Sequence, residues 1–170
     1  KGYLGTNCEK FEEFPILIKL IDAKDNLSVQ VHPDDEYAMR VEGEYGKTEA
    51  WYILDCDDDA ELILGFNRDV SVEEFKEAAQ SEKMLDIVNK VKVKKGDLFF
   101  IEAGTMHAIC KGIMLAEVQQ NSNTTYRIYD YGRLGADGQP RPLHVDKAAD
   151  VTNLCPPVIP DASQRKTEAQ

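Results

Sequence analysis

Three residues of metal-binding type recur at strand-like positions: His32 closing Ser28-Val29-Gln30-Val31-His32-Pro33, Glu49 in Lys47-Thr48-Glu49, and His107 in Gly104-Thr105-Met106-His107-Ala108-Ile109. Two imidazoles and a carboxylate can hold a divalent ion while leaving positions open for water or substrate, and Gln30 offers a fourth, neutral oxygen. Side chains on a strand repeat with period two, so Gln30 and His32 share one face and Val29 and Val31 the other. Lys47 and Glu49, also two apart, point the same way, with the lysine one step nearer the strand's entrance. Each residue alone has a plainer reading. A lone strand histidine is commonly a hydrogen-bonded structural residue, and a Lys/Glu pair at a strand end is commonly exposed. The combination carries the metal reading.

The surrounding elements must bring these residues together. Pro33 has no amide hydrogen and should end its strand at His32, with Asp34 and Asp35 behind it as a turn or helix cap and a short helix from Asp34 to Val41. The apolar run Phe14 to Asp22 reads as a buried strand, paired antiparallel with the Gln30/His32 strand. Further strands are expected at 48–54, 62–66, 91–93, 98–101, 114–120 and 126–131. Residues 71–90 are the one clearly helical region, opened by the capping box Ser71-Val72-Glu73-Glu74. Gly96 and Gly104 permit tight turns on either side of the Leu98–Ile101 strand, placing His107 at the start of the next. Many short strands with one helical insertion point to a mainly β fold, an antiparallel barrel or jelly roll, rather than βαβ units. The helical insertion should lie outside the barrel, and Gln30, His32, Glu49, His107 and Arg127 should line one concavity.

Composition narrows the function. At 170 residues and 42% hydrophobic the chain suits a single domain with a full core. A net charge of −11 leaves no basic face for nucleic acid or an anionic membrane. No run approaches a membrane span. Cys8, Cys56, Cys110 and Cys155 form no CxxC pair and read as reduced thiols in a cytoplasmic protein. The acidic run Asp55 to Glu61 lacks the glycine and terminal glutamate of an EF-hand loop and reads as a solvated turn. Residues 163–170 are polar enough to form a disordered tail. His144 reads as an ordinary surface histidine.

Gly96, Gly104 and His107 resemble the second half-motif of the cupin barrel, with Glu102 where many cupins have proline. Together "SVQVHP", "GKTEAWY", "GTMHAI" and "NSNTTYRIYDYGR" closely resemble the type I mannose-6-phosphate isomerases, over residues 14 to 151. The resemblance implies a cupin-type barrel and a zinc-dependent aldose-ketose isomerase interconverting mannose 6-phosphate and fructose 6-phosphate. It implies one zinc held by His32, Glu49 and His107, with Gln30 as a fourth ligand. It further implies Arg127 and Lys47 as catalytic residues, and Ser28, Lys47 and Arg127 as contacts to a small sugar phosphate. Two departures stand out. Eukaryotic and enterobacterial members carry histidine where this chain has Gly46, so proton transfer by that histidine has no counterpart here. Family members also extend on both sides of the matched region, so the chain corresponds to a central catalytic barrel.

Two other classes use the same residues. A two-histidine, one-carboxylate cupin can be a non-haem iron oxygenase, and a sugar-phosphate sensor would bind without turnover.

Overall fold

The computed structural model describes residues 5–9, 11 and 13–159. The expected tail at 163–170 lies outside them. Among the described residues nine strands form two antiparallel sheets, a jelly-roll sandwich of the cupin type. A four-stranded sheet runs β1 (Ile16–Ala23), β8 (Ile113–Gln120), β3 (Glu49–Cys56), β6 (Leu98–Ile101). A five-stranded sheet runs β5 (Val88–Lys92), β4 (Glu61–Phe66), β7 (His107–Ile109), β2 (Val29–Val31), β9 (Tyr126–Tyr129).

Two apolar layers follow from the period-two pattern. Between the sheets lie Trp51, Ile53, Leu62, Leu64, Phe99, Ile101, Ile109, Ile113 and Leu115. On the far side of the five-stranded sheet, Val29, Val31, Ala108 and Ile128 pack against Phe75, Ala78, Ala79, Met84 and Ala148. The latter come from α2 (Val72–Ala79), α3 (Met84–Ile87) and α4 (Val145–Val151), so the helical insertion lies outside the sandwich as expected. The Ser71 hydroxyl accepts from the Glu74 amide, the N-cap that the sequence signals.

Four expectations are corrected. The helical stretch ends at Ile87, because Val88 onward pairs with β4. The short helix expected from Asp34 to Val41 forms as α1 (Asp35–Val41), but α4, with no side-chain cap to announce it, is a further helix beyond the 71–90 region. The Phe14–Asp22 run pairs not with β2 but with β8, Ile18 opposite Val118 and Leu20 opposite Ala116. Nor is it buried: β1 is an edge strand, with Ile16, Ile18 and Leu20 exposed on the sheet's outer face. Its near-continuous apolar run therefore marks two apolar faces, only one of which is covered among the described residues.

Candidate metal and substrate site

The site forms where the facing sheets approach each other at one end. His107, Gln30 and Arg127 occupy one row across β7, β2 and β9, since Gln30 pairs with both His107 and Arg127. Strand spacing puts the ends of that row roughly 10 Å apart. β2 itself ends at Val31, so His32 sits just past its last paired residue, one position earlier than the sequence suggests. Asp34 caps α1 by accepting from the Tyr37 amide at 2.8 Å. Glu49 comes from the opposite sheet, on the inner face that also carries Trp51 and Ile53.

The ligand atoms of His32, Glu49 and His107 all lie within 4.8 Å of one another, and all three residues are buried. His32 Nε2 is 3.3 Å from Glu49 Oε1 and His107 Nε2 is 3.7 Å from Oε2. Both rings are oriented from behind. Nδ1 of His32 lies 2.9 Å from the Thr124 carbonyl and Nδ1 of His107 lies 2.8 Å from that of Thr105. A carbonyl only accepts, so each Nδ1 carries the proton and each Nε2 turns a lone pair toward the cluster. The turn bearing His107 is tied to His32 as well, because the Gly104 amide donates to the His32 carbonyl at 2.8 Å. Gly104 holds φ +85°, which favours glycine there.

Burial pushes both histidines down, His107 to about 4, so both are neutral at pH 7. Burial acts upward on Glu49, but the His32 and His107 rings it faces and the Lys47 ammonium beside it outweigh burial, holding the carboxyl well below the usual range. Two neutral nitrogen lone pairs thus face a carboxylate. The Lys47 ammonium, 2.8 Å from Glu49 Oε1 and 3.3 Å from His32 Nε2, and the Trp51 Nε1–H, 3.1 Å from Glu49 Oε2, oppose that electron density. Even so, Glu49 Oε1 is buried and accepts no hydrogen bond of proper geometry. An electron-rich donor set with an orphaned oxygen fits a divalent cation.

Ser28 and Gln30 lie beside this cluster, and Arg127 stands one strand beyond Gln30. Ser28 is buried, and its hydroxyl donates to Gln30 Oε1 at 3.4 Å. Gln30 Nε2 approaches His107 Nε2 at 3.5 Å, so the amide nitrogen rather than the oxygen faces the ligands. Arg127 is half-buried, with Nη1 on the Pro142 carbonyl at 2.9 Å and its buried Nε unpartnered.

A model of "Phosphomannose isomerase type I, catalytic domain" matches residues 5–64. Probable mannose-6-phosphate isomerase GmuF of Bacillus subtilis is 52% identical over 142 residues, which is 83% of this chain and 45% of the relative. The mannose-6-phosphate isomerase of Streptococcus mutans is 47% identical over 148 residues, 87% of this chain and 46% of the relative. The crystal structure of the Bacillus subtilis mannose 6-phosphate isomerase superposes with a TM-score of 0.81 at 44% identity, covering 87% of this chain and 47% of that one. Over most of its length the chain resembles the type I phosphomannose isomerases. It spans a little under half the length of these relatives.

The structure adds residues that sequence reasoning passed over. Glu117 and Gln119, on β8, are buried on the same inner face as Glu49. Trp51 Nε1 donates to both Glu49 Oε2 and Glu117 Oε2 at 3.1 Å, and Lys19 pairs with Glu117 at 3.0 Å and also contacts Gln119. The available signal was parity, since Leu115, Glu117 and Gln119 alternate inward. His144 is no free surface residue either: its Nδ1 accepts from the Arg127 amide at 3.1 Å, and its own amide donates to the Arg127 carbonyl at 2.7 Å. It braces Arg127 and stays outside the metal-capable cluster.

Proposed function

We propose that this chain is the catalytic part of a zinc-dependent mannose-6-phosphate isomerase, interconverting mannose 6-phosphate and fructose 6-phosphate through an enediolate. The carrying observation is the buried His32–Glu49–His107 cluster, in a chain about half identical to proteins bearing that name. His32, Glu49 and His107 would hold the ion, with Gln30 as a fourth donor once its amide turns over, an exchange of atoms of nearly equal size. A bound divalent zinc polarises a carbonyl and offsets charge developing on oxygen.

The remaining work falls to the chain's own side chains. A proton must leave the carbon beside the sugar carbonyl, the C–H electron pair forming the enediolate double bond as the carbonyl pair moves onto oxygen. It returns to the neighbouring carbon while the hydroxyl proton passes from one oxygen to the other. Nothing else is consumed. Lys47 is the non-ligand residue nearest the cluster, where it supplies positive charge and a proton-carrying group. Arg127, with its unpartnered Nε, gives a permanent cation for the enediolate or the phosphate, and Ser28 gives a hydroxyl. These few cations suffice for one small sugar phosphate despite the net charge of −11. A cytoplasmic location accords with four free cysteines.

The test is zinc content and a coupled assay of fructose 6-phosphate formation, on the full-length protein and its His107→Ala variant. About one zinc per molecule is expected in the first, with zinc and turnover both absent in the second. Full zinc occupancy in His107→Ala would overturn the ligand set, and oxygen consumption with retained iron(II) would favour the oxygenase reading.

A further inference from the structure

Lys47 reaches the cluster from a loop, and that loop has an unusual attachment. Residues 46, 47 and 48 each donate their backbone amide to a different acceptor. Gly46 donates to Asp35 Oδ1 at 2.8 Å, Lys47 to the Pro33 carbonyl at 3.1 Å, and Thr48 to Gln120 Oε1 at 2.8 Å. Gln120 Nε2 then donates to the same Asp35 oxygen at 3.1 Å, closing a ring of contacts. Two of the three acceptors lie within three residues of His32, on the segment that carries it. The loop bearing Lys47 is therefore fastened to the histidine it touches.

Such close fastening leaves no room at residue 46. A Cβ there would stand 2.4 Å from the Asp34 carbonyl carbon, 2.6 Å from the Asp35 nitrogen and 2.6 Å from the Pro33 oxygen. All three are backbone atoms, which cannot swing aside as a flexible side chain would. Among the described glycines, a Cβ at Gly65, Gly104, Gly112 or Gly135 would also meet an atom under 3 Å away, but only at Gly46 are all three nearest atoms backbone. The requirement is for close approach rather than unusual torsion.

We propose that Gly46 is a positioning residue for Lys47: its missing side chain lets the 46–48 loop clasp the Pro33–Asp35 backbone, with Asp35 and Gln120 completing the clasp, and so seats the ammonium against Glu49 and His32. The inference rests on the reading of Lys47 as an active group. Any side chain at 46 lifts the loop and carries Lys47 away. Glu49 moves less, because its strand is held on both sides by Ile101 and Gln119.

The experiment compares Gly46→Ala, Lys47→Ala and the double variant in the full-length protein, with folding checked by thermal melting. A displacement of about 1 Å at a positioned group can cost roughly 10²-fold in rate. Gly46→Ala should lower kcat by about that factor with KM nearly constant, and the double variant should be no slower than Lys47→Ala alone. Losses that multiply in the double variant would overturn the proposal. A second arm needs no turnover: acetic anhydride labelling read by mass spectrometry. Lys47 is 5% exposed and should be protected in the parent protein but labelled in Gly46→Ala. Should Gly46→Ala not fold, Asp35→Ala removes the Gly46 acceptor without adding bulk and should expose Lys47 likewise. Continued protection of Lys47 in a folded variant refutes the clasp. Labelling as expected in a protein without isomerase activity would uphold the clasp and reject the proposed reaction.

Discussion

Two buried carboxylates, Glu49 and Asp130, sit at opposite extremes of satisfaction. Asp130, just past β9, is 4% exposed and receives four hydrogen bonds from two side-chain guanidinium groups. Arg133 donates through Nε at 3.1 Å and Nη2 at 2.5 Å, Arg141 through Nε at 2.6 Å and Nη2 at 2.5 Å. Burial raises its pKa, but the bonds from Arg141 and Arg133 more than reverse this. Arg133 also holds the Asn26 carbonyl at 2.8 Å, pinning the connection between β1 and β2. Glu49 is 1% exposed, yet Oε1 accepts no hydrogen bond of proper geometry even with the Lys47 ammonium 2.8 Å away, and its two oxygens face one histidine lone pair each. A buried acid whose lone pairs are filled by forked donors is a structural rivet. One left facing other ligand atoms is a site.

The sharpest way to break the comparison is to remove each carboxylate. Glu49→Ala should abolish zinc binding and isomerase turnover together, while the melting transition stays cooperative. Retained zinc, measured by atomic emission, would put Glu49 on the structural side. Asp130→Ala should do the reverse. It leaves two guanidinium groups unpaired, but each is about one-third exposed and water screens them, so a loss of roughly 1–3 kcal/mol is expected in denaturant titration. Zinc stoichiometry should be unchanged.

Acid separates the two regions by a smaller margin. His107 titrates near 4 when folded and near 6.5 when unfolded, so the unfolded chain takes up its proton first as pH falls. Its contribution is therefore present above pH 6.5 and lost progressively between 6.5 and 4, at a cost of about 1 kcal/mol at pH 5.5 in chelator-treated protein. Asp130, held below the usual carboxylate range, loses its contribution only at lower pH. Stability measured at pH 7.5 and 5.5 should thus fall equally in the parent and Asp130→Ala, and fall less in His107→Phe. Equal loss in His107→Phe would show that the histidine is not the sensitive group.

Side-chain type and parity were legible along the chain. Period-two alternation grouped Gln30 with His32 and Lys47 with Glu49, and the members of each pair converge on one cluster although His32 and Lys47 lie just outside their strands. The capping residues Asp34 and Ser71, the Leu98–Ile101 strand and the start of β7 at His107 follow from local chemistry, because each depends on residues within a turn of one another. Pairing does not. Whether β1 joins β2 or β8 is decided by contacts nearly a hundred residues apart, and the apolar run of β1 suits either neighbour. The same applies to Glu117 meeting Trp51, His144 bracing Arg127, and Asp35 and Gln120 receiving the Gly46 loop. An isolated sequence states which groups can bond. Only the folded chain decides which of them find each other, since that depends on how two sheets close over one core.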